Sequence, residues 1–355
     1  MVRDLVAVQL PKYIPVALQC DDMRVLKTLM PLVRVFPSIC KPFADKMATL
    51  ARQWLMQTDI SGSDVLVASQ LLTLTWSCFG KSATEKTTLQ SFRQLISTAH
   101  SCLDVILATV DELPFRRPDV PARFSASVVD DGNYLVSFPE RLRQLEHLFT
   151  TLDVALTSTY VGPVALPASE FLDLVDRMVR FHSMCLVKEH LDMEQHRMAC
   201  LLRPRLFDVA ARFIVTLSTC LGHHMKRYRS VLTAILMTLL REFPTRTSTL
   251  DVARALIACL GCSLVRALHP TLLGIIQTQL DALFSRLSSD QSVMISQGAQ
   301  QGGGSRKRRK TKAETFVVAD QTEKTPVPSI NENVLLASIN CKRHFIALFI
   351  DFDTL

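Results

Sequence analysis

Thiols and imidazoles come closest to metal or catalytic chemistry in this sequence, and their spacing decides what they can do. CLGC sets Cys259 and Cys262 three residues apart, the spacing of half a zinc site. A closed site needs a second pair, and no further CxxC or HxxxH stands at zinc-finger distance. CLGC also lies in an apolar helical pattern, so both thiols are read as core residues. His182, Cys185, His190 and His196 fall within fifteen residues. His182 and Cys185 share an apolar helix face while the other two flank a turn, which assigns them structural roles, and no metal is expected. GxSxG, P-loop and GxGxxG patterns are absent, and no cysteine and histidine pair in a recognisable catalytic context. The chain is expected to be non-enzymatic and to need no cofactor.

Three other motifs could bind rather than react. HHMKRYR joins His223, His224, Lys226, Arg227, Tyr228 and Arg229 just after a helix. Cations beside an aromatic can hold phosphate and stack a base, which makes this the best RNA patch in the folded part. The blander reading is a polar turn between helices. LMTLL, with Leu236, Leu239 and Leu240, fits the LxxLL pattern of docking helices. It lies inside a long apolar helix where those leucines are needed for packing. GGGSRKRRKTK carries Arg306, Lys307, Arg308, Arg309, Lys310 and Lys312. A glycine-led basic run in extended form is what an importin reads; the alternatives are RNA contact and a solvated linker.

The run also explains the charge. The net charge is +7, but removing those six cations leaves 34 basic residues against 33 acidic ones. A surface that coats RNA needs a broad excess of Lys and Arg, so the balance makes RNA contact secondary and local. The ten cysteines lack a framework spacing and read as reduced, buried thiols. The first residues show no basic and apolar leader, and no apolar run reaches 18 residues, so a soluble intracellular protein with no membrane partner is expected.

Helices must position these motifs. With 48% hydrophobic residues, 11 glycines and apolar positions recurring at helical period, the fold class is all-α. In FLDLVDRMVRFHSMCL, Phe171, Leu174, Val175, Met178, His182 and Cys185 share one face; Asp173, Asp176, Arg177 and Arg180 fall opposite. In RLFDVAARFIVTLSTCLG, Leu206, Val209, Ala210, Phe213, Leu217 and Cys220 repeat the pattern, and Gly222 supplies a stop. Further helices are expected near 21–36, 42–58, 63–79, 86–111, 139–157, 228–243, 249–268 and 271–288. The organisation expected is a first helical block over 1–112, a loop over 113–138, a second block over 139–288, a disordered basic linker over 289–333 and a short apolar terminal segment over 334–355. Many short amphipathic helices without strands suit a HEAT- or armadillo-like helical-repeat solenoid. LMPLVRVFP at 29–37 and LMTLLREFP at 236–244 share six of nine residues, each with a helix stop at Phe-Pro.

Taken in order, LMPLVRVFPSICKPFADKMATLARQWL, FRQLISTAHSCLDVIL, VGPVALPASEFLDLVDRMVRF, RPRLFDVAARFIVTLSTCLGHHM and the basic run resemble one family. It is the pre-ribosomal RNA-processing scaffold family typified by the proline-, glutamic acid- and leucine-rich protein. The resemblance spans residues 29 to 312 and contains no catalytic signature. It implies a HEAT- or armadillo-like solenoid serving as a nuclear scaffold, in nucleolus and nucleoplasm, for maturation of the large (60S) ribosomal subunit and its rRNA. The partners it implies are a WD-repeat subunit, a second helical-repeat subunit and an AAA ATPase. The long Glu- and Pro-rich tail of the typifying member has no counterpart here, so functions tied to that tail are not carried over. The alternative on the same architecture is a nuclear transport adaptor or a nuclear-receptor coregulator docking through LMTLL.

Overall fold

A computed structural model describes residues 2–20, 22–112, 114–121, 133–160, 164–182, 185–188 and 193–298. Within these the chain is helical, and no strand longer than a single bridge occurs. Two compact units divide at residue 264: Met1–Leu264 and Val265–Leu355. The first holds α1 (Val2–Ala17), α2 (Met23–Val35), α3 (Pro37–Cys40), α4 (Ala44–Met56), α5 (Gly62–Trp76), α6 (Lys81–Ile106), α7 (Tyr134–Thr157), α8 (Ala168–Arg180), α9 (Met193–Leu221), α10 (Arg229–Glu242) and α11 (Thr247–Leu260). Short 3-10 segments at Lys41–Phe43, Ser77–Phe79 and Gly222–Tyr228 precede α4, α6 and α10. The second unit contributes most of α12 (Cys262–Gly298).

Several helix ends follow from local chemistry. Asp22 caps α2 by accepting from the Arg24 N–H at 2.8 Å, and Ser61 caps α5 by accepting from the Asp64 N–H at 3.3 Å. The repeated nonapeptide closes both its helices alike. Phe36 sits at φ −126°, ψ 55° with its N–H on Leu32 O, and Phe243 at φ −139°, ψ 63° with its N–H on Leu239 O. The proline that follows each phenylalanine disfavours helical geometry there, so the same six residues produce the same stop.

Other boundaries differ from expectation. α1 was not expected, because Pro11 and Pro15 interrupt its sequence. Burial of Leu10, Ile14 and Ala17 along one face sets against that cost. α7 begins at Tyr134 inside the expected loop, with Asn133 accepting from the Leu135 N–H at 3.1 Å and Phe138 fully buried. α9 starts at Met193, well ahead of the first residues with a clear apolar period. The break expected between 268 and 271 lies instead at Gly261, whose φ of 68° ends α11 where a side chain would be strained. Pro270 lies within α12, which continues to Gly298 past the expected stop at 288. Most of the expected linker, and all of the terminal apolar segment, lie outside the described residues.

Packing in the first unit follows two rows. α5, α7, α9 and α11 each touch the next, and so do α6, α8 and α10. α7 also lies against α4 and α6, and α8 against α9. A chain of aromatic edges threads these rows. Trp76 meets Phe92 at 5.4 Å, Phe92 meets Phe171 at 5.4 Å, Phe171 meets Phe213 at 5.5 Å, and Phe213 meets Phe149 at 5.1 Å, all edge-on. One ring from each of α5 to α9 is thereby fixed in both distance and angle. Polar groups fix register as well: Ser69 and Thr151 share a buried 2.8 Å hydrogen bond between α5 and α7. The last carbonyls of α4 accept from α7, Met56 O from Gln144 Nε2 at 3.1 Å and Leu55 O from His147 Nδ1 at 3.0 Å. The stretch Met193–Glu242 has the length and hydropathy of a membrane span, yet half of its best window is buried inside the unit. Its apolar residues include the core residues Leu206, Phe213, Leu217 and Leu236.

Phe171 is the midpoint of the aromatic chain, so Phe171→Ala should lower unfolding free energy by about 3–5 kcal/mol in urea. Phe171→Leu, which keeps most of the volume but loses both edge contacts, should cost clearly less than Phe171→Ala but more than about 0.5 kcal/mol; a negligible loss would show that the ring geometry contributes nothing.

Candidate functional site

The sequence places Arg177 on the solvent face of α8, and the structure reverses this. Arg177 is only 3% exposed. The face was covered by a segment that follows α6 and folds back over α8, bringing Glu112 and Phe115 onto it. Arg177 Nε and Nη2 donate to the two oxygens of Glu112 at 2.8 and 2.7 Å. Nη2 also donates to Asp104 at 2.8 Å. Nη1 donates to the His100 carbonyl at 3.0 Å and to His100 Nδ1 at 3.2 Å. All five guanidinium hydrogens are therefore engaged. The Phe115 ring lies 3.9 Å from Arg177 Cζ and stacks on His100, and Arg117 pairs with Asp104 from outside.

Beside this cluster the segments after α6 and α8 pair. Val110 bridges Val187 in antiparallel fashion, Asp111 N–H donates to Leu186 O at 2.9 Å, and Lys188 N–H donates to Thr109 O at 3.1 Å. Together they enclose a cavity of about 380 Å³ lined by Leu107, Phe115, Arg177, Phe181 and Cys185 among others. Among its charged groups Arg177 is paired with Glu112 and Arg180 with Asp176. Burial, then the Arg177 and Arg117 charges, push His100 down to about 3, so its ring is neutral and Nδ1 accepts from Arg177. Burial raises the Cys185 and Cys200 thiols, which keeps both protonated. The arrangement is a clamp on two inter-helix connections rather than a set of poised reactive groups.

The cysteine and histidine cluster does not assemble as expected: α8 ends at Arg180, so His182 and Cys185 lie beyond the helix whose face they were expected to share. His196 and Cys200, one turn apart on α9, approach with Nε2 to Sγ at 3.4 Å, and His196 Nδ1 meets Thr109 Oγ1 at 3.1 Å. This ties α9 to the end of α6. His190 lies outside the described residues. Among the described residues no three His, Cys, Asp or Glu side chains converge as a metal site. Cys259 donates to Ser218 O at 3.4 Å between α11 and α9.

Leu236, Leu239 and Leu240 are all buried in α10. The 3-10 segment Gly222–Tyr228 presents His223, His224, Lys226 and Arg227 to solvent, followed by exposed Arg229, while Met225 is buried and Tyr228 half-buried. His223 and His224 stack at 4.2 Å, tilted by 35°. Of the two binding motifs within the described residues, HHMKRYR is the one whose polar side chains are accessible. Arg306, Lys307, Arg308, Arg309, Lys310 and Lys312 lie outside the described residues. The Arg177 clamp was missed because hydrophobic period cannot register a partner 65 or more residues away. Comparison with protein-family models finds no match to the chain, and comparison with curated proteins finds none either.

Replacing Arg177 with Met should cost about 3 kcal/mol, since Glu112 and Asp104 lose their partner but keep some access to water; chemical denaturation reads the loss, and a change below 1 kcal/mol would show the clamp to be dispensable. Acid should also weaken the fold. His100 takes a proton in the unfolded chain below its ordinary 6.5 but not in the folded one until about 3, so stability falls by up to about 1.4 kcal/mol per pH unit between those values. His147, also depressed mainly by burial, adds in the same direction. Thermal melts between pH 7.5 and 5 should show this slope, and His100→Gln should flatten it.

Proposed function

We propose that the protein is a non-catalytic helical-repeat scaffold acting in maturation of the large ribosomal subunit and its rRNA, in the nucleolus and nucleoplasm. The observation that carries the scaffold reading is the two-row packing, in which α5, α7, α9 and α11 make one row and α6, α8 and α10 the other. Stacked hairpins that bury their faces on the next hairpin are how HEAT- and armadillo-like solenoids are built, and such a stack holds partners at fixed spacing. The ribosomal assignment rests on the ordered run of segments between residues 29 and 312 that resembles the pre-ribosomal scaffold family. On that reading the partners are a WD-repeat subunit, a second helical-repeat subunit and an AAA ATPase, and the basic run at 306–312 engages an importin. The coregulator alternative through LMTLL gains no support, since all three leucines are buried and α10 would have to leave the core to present them.

The test is depletion and sedimentation in the same cells. The expected result is that the tagged chain co-sediments with large-subunit precursors, that depletion accumulates unprocessed rRNA, and that deleting 306–312 lowers nuclear accumulation without unfolding the chain. Sedimentation apart from those precursors with unchanged processing would refute the assignment.

A further inference from the structure

The turn between α9 and α10 has a geometry that its sequence alone does not disclose. A 3-10 helix repeats every three residues, so side chains at i and i+3 stand in line. Over Gly222–Tyr228 this gives three ridges. Gly222, Met225 and Tyr228 form the inner one, with Met225 fully buried as the anchor. His223, Lys226 and Arg229 form a second, and His224 with Arg227 a third, all exposed. Residues along a ridge are about 6 Å apart, wide enough for each cation to hold its own phosphate. A run of seven residues is long for this kind of helix, and it opens at Gly222 with φ 50°, a conformation that other residues adopt only at a cost.

The charge on these ridges is uncompensated. No Asp or Glu occurs from Val209 to Arg241. The helices packed on the turn are α9, α10 and α11, and their acids are Glu194, Asp208, Glu242 and Asp251. Each is engaged elsewhere: Glu194 by Tyr134, Asp208 by Arg246, Glu242 by Arg203 and Asp251 by Arg254. Lys226, Arg227 and Arg229 form no ion pair among the described residues. A locally positive, fixed surface on a nearly neutral body concentrates a polyanion at one place.

We propose that this turn binds single-stranded RNA, with Lys226, Arg227 and Arg229 on phosphates and the exposed His223–His224 pair offering ring faces to bases. RNA fits better than an acidic polypeptide because the cations alternate with rings, and stacking on rings is a bond that a base makes and a carboxylate side chain does not. The inference stands apart from the ribosomal assignment, since it needs only purified protein.

The test uses the whole chain in a background where the six cations of 306–312 are Gln, so that the run contributes nothing. A fluorescein-labelled 20-nucleotide oligouridylate is titrated by anisotropy at salt concentrations from 50 to 300 mM. The expected result is measurable binding whose log K falls with log salt, and loss of at least tenfold in affinity at 100 mM for Lys226→Gln, Arg227→Gln and Arg229→Gln combined. The salt slope should drop by about 2, the value for three phosphate contacts to a single strand. Circular dichroism melts of the two proteins should coincide, because all three residues are exposed. Absent binding in the background chain, an unchanged slope in the triple variant, or equal affinity for polyglutamate would each overturn the proposal.

Discussion

A guanidinium withdrawn from water has to engage every hydrogen it carries, and Arg177 does so in a cluster that joins three places in the chain. His100 and Asp104 come from α6, Glu112 and Phe115 from the segment beyond it, and Arg177 itself from α8. Removing one partner of such a group leaves charge without a counterpart, which costs far more than the pair gains when intact. The long connection between α6 and α7 therefore starts from a fixed point. The Val110–Val187 bridge extends that fixation to the connection leaving α8, and the Thr109–His196 contact extends it to α9.

Around the clamp the apolar core supplies the bulk of the stability. Five rings from five consecutive helices meet edge to edge, and buried leucines fill the rows on either side. Edge-on contacts constrain angle as well as distance, so the rows cannot slide without breaking several at once. The polar ties within the first row and from it to α4, Ser69 with Thr151 and the α4 carbonyls with Gln144 and His147, add direction where apolar contact is indifferent to it.

What periodicity could read, it read well. Phe171, Leu174, Val175 and Met178 are buried as drawn, and so are Leu206, Val209, Ala210, Phe213 and Leu217, but Cys220 at the end of its face is exposed, and α8 ends at Arg180 before reaching His182 and Cys185. The two Phe-Pro stops share geometry as they share sequence. The misreadings have specific causes. Prolines in α1 and α12 look like breaks but sit where the surrounding helix tolerates them. Gly261 looks like one residue of a helical run, yet its positive φ ends α11. HHMKRYR was legible as a charged turn, while its three ridges depend on a 3-10 backbone that composition does not specify.

The amino-acid sequence by itself determined the all-helical class, the near-neutral body with a concentrated basic run, and most faces that go inward. Those features depend on spacing within a single helix, and spacing is local. Only the tertiary structure decided that Arg177 points inward, that the imidazole of α9 meets Thr109 and its neighbouring thiol, and that the cations of the 223–229 turn form no ion pair among the described residues. Each of these depends on groups from distant parts of the chain arriving at one place, or on their failing to arrive. The period of a helix carries no record of that distance.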